Sequence, residues 1–184
     1  MVVVHVKAGA EEEEEPQLQL QAEFLYECSS SSAVDDVAES IADIHRLQSK
    51  ILHSLSPFVR TRLLPRAFPG AAESHRDPAL VALERAVSEA ESYASKEQVL
   101  RNRFLSPRAL RDHITSIERA LVLAQQEAPP GFDFQSLSEH QLHDRMRLWW
   151  AGKELASGKR LCDYIGPNEK TKIIVRLKPA STEA

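Results

Sequence analysis

The run from Leu148 to Leu177, LWWAGKELASGKRLCDYIGPNEKTKIIVRL, constrains the fold of this chain more than any other stretch. Leu148 to Trp150 is an apolar segment of strand length, ended by a turn at Ala151-Gly152, and Lys153 to Leu155 follows as a second, shorter strand. Gly158 supplies the positive φ of a tight loop. Asp163-Tyr164 falls in a compact loop, where a tyrosine hydroxyl commonly bonds back to the backbone. From Lys172 the pattern has period two. Ile173, Val175 and Leu177 share one face and Lys172, Ile174 and Arg176 the other, which is the signature of a strand.

The same run resembles the second half of ubiquitin. An apolar triplet, Ala151-Gly152-Lys153, Leu155, Gly158, Leu161, Asp163-Tyr164 and a final Arg176-Leu177 occur in the same order at almost constant spacing, with one residue fewer before the last strand. The resemblance implies a β-grasp, which also needs a hairpin and a helix that crosses the sheet, and the start of the chain supplies both. Met1 to Lys7 is β-branched and apolar, and Gln17 to Tyr26 alternates polar with apolar up to Phe24. Between them lies a loop, Ala8 to Pro16, whose five consecutive glutamates read as a solvated, self-repelling turn region. Ser29 to Ser32 offers N-caps for a helix with apolar positions Val34, Val37, Ile41 and Ile44, and Asp35 and Asp36 in its first turn suit the helix dipole. The expected fold is α+β, a ubiquitin-like β-grasp of mixed sheet plus helix, with the first and last strands parallel neighbours at its centre.

Roughly ninety residues separate the first helix from Leu148, far beyond an ordinary connection, so a helical-hairpin insertion is expected between the first helix and the third strand. Asp77-Pro78 and Ser106-Pro107 each put a capping side chain before a proline that suits the first helical position. Leu80, Leu83, Val87, Ala90 and Ala94 then recur at helical spacing, as do Leu110, Ile114, Ile117, Leu121 and Ala124. Two such stripes joined by a short link form an antiparallel pair. Pro129-Pro130-Gly131 ends the second helix. Pro57 to Gly70 is expected to be an irregular, proline-interrupted linker with exposed Arg60, Arg62 and Arg66. The chain therefore divides into 1–55, the first half of the β-grasp; 56–137, linker and helical hairpin; and 138–184, the second half with a short tail.

Composition narrows the function classes. At 184 residues and 42% hydrophobic the chain can bury a core, and no apolar run is long enough to span a bilayer. The start lacks a secretory layout, so a soluble intracellular protein is expected. A net charge of -4 gives no overall drive toward nucleic acid. Cys28 and Cys162 make neither a disulfide framework nor a zinc site, and neither carries the flanking pattern of a thiol enzyme. His140 and His143, with Glu139 and Asp144 nearby, fall short of a metal-ligand set. There is no glycine-rich phosphate loop, and Asp35-Asp36 point apart on a helix terminus. No catalytic constellation, metal or cofactor is expected.

Function should then rest on surface. Adjacent strand residues point to opposite faces, so Trp149 and Trp150 do not enter one core. With Leu148 facing the helix, Trp149 lies on the outer sheet face beside Ile174, where it either meets a partner or is covered by the helical hairpin. Arg60, Arg62 and Arg66 form a second candidate surface, attractive to acidic partners but equally consistent with a solvated loop.

The pairing of MVVVHVK with a distant LWWAGKEL and DYIGPNEKTKII is similar to the Kurly family of cilia- and flagella-associated proteins, with NEKTKII, Asn168 to Ile174, the most specific part. That resemblance covers both ends of the chain, and the middle in layout. It implies a non-enzymatic role in motile cilia, through axonemal dynein-arm assembly and motility or as a resident subunit on doublet microtubules. Implied partners are axonemal proteins or the dynein-assembly machinery, and tubulin among acidic surfaces; implied locations are cytoplasm, axoneme and basal body. Longer members of the family continue into a charged helical tail, whereas seven residues follow Leu177 here. The ubiquitin resemblance alone implies a different class, an adaptor docking a proteasome or deubiquitinase. A conjugated modifier is not expected, because Lys178-Pro179-Ala180 follows Arg176-Leu177 in place of a terminal diglycine.

Overall fold

The structure, a computed structural model, describes residues 1–8, 22–64, 77–124 and 146–179. The chain divides into two compact units, one of Met1–Arg46, Lys96–Ser106 and His143–Ala184, the other of Leu47–Ser95 and Pro107–Leu142.

In the first unit, β1 (Val2–Ala8) and β2 (Ala22–Cys28) pair antiparallel, and β5 (Lys172–Pro179) lies parallel to β1 with Val4 opposite Ile173 and Val6 opposite Val175. On the other side of β5, β3 (Met146–Trp150) runs antiparallel with Leu148 opposite Leu177, and β4 (Lys153–Glu154) closes the order β2-β1-β5-β3-β4. This is an α+β unit with an open five-stranded mixed sheet, compatible with the expected grasp. The period-two pattern sorts its side chains. Val2, Val4, Val6, Phe24, Leu148, Ile173, Val175 and Leu177 are buried, as are Val34, Val37, Ile41 and Ile44 of helix α1 (Val34–Ser49). The five glutamates and Gln17 to Gln21 lie outside the described residues.

Turn chemistry sets the register of the second half. Ala151 and Gly152 have φ of 49° and 78°, two successive left-handed residues that match the twist of the β3-β4 hairpin. Gly158, at φ 77°, needs the conformation expected of it. The Tyr164 hydroxyl accepts the Ala156 N–H at 2.8 Å, the back-bond read from the sequence. One expectation is corrected. Ser29 to Ser32 do not cap α1, which starts one residue later, after Ala33. They fold into a turn of their own, with Ser32 N–H donating to the Ser29 carbonyl at 3.1 Å, and the Val34 N–H is taken by the Lys159 carbonyl at 2.8 Å. A backbone partner from a distant loop satisfies the helix start, so the serine hydroxyls are released for another task.

The second unit is helical in its described residues. The stretch expected to be an irregular linker continues helically through Leu64, as a wide turn at Lys50–Leu55, α2 (Ser56–Phe58) and another wide turn at Val59–Leu63. Pro57 has no N–H and its ring crowds the preceding turn, and the ladder adapts by lengthening: Ser56 N–H reaches the Ile51 carbonyl and Leu64 N–H the Val59 carbonyl, five residues back in each case. The burial of Ile51, Leu55 and Val59 outweighs the lost donor.

Helix α3 (Pro78–Ala94) begins as the Asp77-Pro78 pair predicts, with the Asp77 carboxylate accepting the Ala79 N–H at 2.8 Å. It packs against α5 (Pro107–Ala124), burying Leu83, Val87, Ala90 and Ala94 on one helix and Leu110, Ile114, Ile117 and Leu121 on the other. The connection between them is more than a short link. It carries α4 (Glu97–Leu100) and belongs to the first unit, where Phe104 bridges Leu25 in parallel and the Leu105 N–H donates to the Leu25 carbonyl at 2.9 Å. The free edge of β2 is partly paired in this way, which removes an exposed template for aggregation. Pro129-Pro130-Gly131 lies outside the described residues. No helix among those described is long and apolar enough to cross a membrane.

Candidate protein-interaction face

Alternation along the strands puts Lys172, Ile174, Arg176 and Lys178 of β5 on the face opposite the buried Ile173, Val175 and Leu177. The register brings His5 opposite Ile174 and Lys7 opposite Arg176 on β1, and Trp149 opposite Arg176 and Arg147 opposite Lys178 on β3. Trp149 therefore meets Arg176 directly, and Ile174 is its diagonal neighbour, a separation that a large ring still bridges. Ile174 is 54% exposed, while Trp149 is half-buried with the Lys178 Nζ 5.1 Å from its ring centroid, a cation-π contact.

Cover is uneven across this face. Leu25 points the same way as His5, its register partner, yet is fully buried, and α4 packs against β2. At β5 the apolar position remains open. Charge flanks it: His5 Nε2 lies 2.6 Å from the Glu23 carboxylate, Lys7 Nζ 3.9 Å from the same oxygen, and Arg147 donates to Glu154 at 2.9 Å.

The linker arginines are placed differently from one another. Arg60 is committed within its own unit, its guanidinium donating to Glu91 through Nε at 2.9 Å and again through the second nitrogen, with Ser56 also donating to that carboxylate. These bonds hold the Glu91 carboxyl below its ordinary pKa. Arg62 stands in the same helical stretch, and Arg66 lies outside the described residues, as do His140 and His143.

Sequence reasoning missed Glu169, the second residue of NEKTKII. Its Oε1 accepts the Ser30 N–H at 3.0 Å, the Ser30 hydroxyl at 2.6 Å and the Ser29 hydroxyl at 3.0 Å. Those donors, the Ser30 hydroxyl foremost, hold its carboxyl down at about 2. Glu169 thus clips the entry of β5 to the turn between β2 and α1, and the freed serines explain why α1 begins without them. The signal was present as a lone acid in a specific segment facing a run of serines, but sequence separation hid the pairing. Asp35 acts alike: besides sitting in the first helical turn it accepts the Gly158 N–H at 2.8 Å, which lowers its carboxyl pKa. Cys28 is buried, and burial first, with the Glu169 charge next, pushes its thiol up to about 11, far from a nucleophile's range. Among the described residues no group of three or more His, Cys, Asp or Glu could hold a metal ion.

Comparison with known proteins points to one family. No solved structure matches the chain. Cilia- and flagella-associated protein 298 of Rattus norvegicus is 32% identical over 110 residues, 52% of this chain and 38% of the relative, and the Danio rerio protein aligns with the same identity and coverage. Cilia- and flagella-associated protein 298-B of Xenopus laevis is 62% identical over 32 residues, 17% of this chain and 12% of its own. The chain thus spans 38% of the length of the rat and zebrafish relatives. The segment that supplies β3, β4, β5 and the Glu169 clip, residues 146–184, matches the family model of cilia- and flagella-associated protein 298, and it is to this family that the chain is similar.

Proposed function

We propose that this chain is a non-enzymatic protein of cilia and flagella that works by binding other proteins through the outer face of its sheet. The supporting observation is one of place. The segment similar to the ciliary family builds β3 and β5, and those strands carry the half-buried Trp149 and the exposed Ile174. A large apolar side chain left open between charged neighbours, on a face otherwise covered at Leu25, has the character of an interaction surface. The finer role is in axonemal dynein-arm assembly and ciliary motility, or as a resident subunit on doublet microtubules. Partners are axonemal proteins or the dynein-assembly machinery, with tubulin a candidate, and the protein distributes between cytoplasm, basal body and axoneme.

Fractionation of motile cilia tests this reading. A resident subunit stays with detergent-extracted, salt-washed doublets, whereas an assembly factor is found in the cytoplasm and its loss depletes dynein arms. Absence from both fractions' complexes, together with normal motility when the protein is removed, overturns the proposal. Trp149→Ala, measured for thermal melting and axonemal retention on the same variant, then tests the face: normal melting with lost retention assigns Trp149 to the interface, and normal melting with normal retention removes it.

A further inference from the structure

We draw no further inference here: the strongest candidate, the open apolar position at Ile174 beside the half-buried Trp149 on the outer face of the sheet, belongs to the surface already described, and nothing in the structure shows what covers it.

Discussion

Val175 and Ile174 are neighbours in sequence, nearly equal in hydrophobicity, and opposite in environment: Val175 is fully buried and Ile174 is 54% exposed. Truncating each to alanine therefore measures which face of β5 is the core. Val175→Ala removes two methyl groups, worth about 0.8 kcal/mol each in transfer free energy. The space they leave, on the order of 50 Å³, adds about 1 kcal/mol if the surrounding sheet does not collapse into it. The neighbours are Val6 across the parallel ladder and Trp150 across the antiparallel one, both in paired backbone, so collapse is limited and a loss of roughly 2 to 3 kcal/mol is expected. Ile174→Ala removes more carbon from a site already half in water, and its loss should stay below about 1 kcal/mol. Urea unfolding followed by tryptophan fluorescence reads both, since Trp149 and Trp150 sit on the adjoining strand; for a chain of this size 1 kcal/mol also moves Tm by about 2–4 °C. Equal losses, or a larger loss for Ile174→Ala, refute the face assignment, and with it the interface.

Leu83→Ala and Ile117→Ala, both at fully buried positions of the α3–α5 pair, should each cost about 2–4 kcal/mol, against less than about 0.5 kcal/mol for Val122→Ala on the exposed side of α5; chemical denaturation of the three variants checks the stripe. Ala151 has φ of 49°, a conformation that a Cβ disfavours, so Ala151→Gly should stabilise the chain by about 0.5–1 kcal/mol, and a lower melting temperature would refute the turn geometry. Glu169 has its folded pKa depressed from 4.5 to about 2, so its contribution is fully present above the unfolded value and fades as pH falls from near 4.5 toward 2. Glu169→Gln should flatten the acid limb of the stability profile in that window, and a profile superimposing on that of the wild type would show that the clip does not form.

The sequence by itself determined the elements and most of their partners. Alternation in Lys172 to Leu177 placed Val175 inside and Ile174 outside, the Ala151-Gly152 and Gly158 positions fixed the turns, and the Asp77-Pro78 cap and leucine stripes fixed the helix pair, because each is a local rule of period or backbone freedom. Tertiary structure decided what depends on groups far apart in the chain. Glu169 finds Ser29 and Ser30 across some hundred and forty residues, leaving α1 to be capped by the Lys159 carbonyl; the segment around Phe104 pairs with the edge of β2 at Leu25; and Pro57 is carried inside a helix because burial of Ile51, Leu55 and Val59 overrides a local breaker. Strand register, which sequence separation conceals, likewise decides that His5 stands opposite Ile174 and Trp149 opposite Arg176.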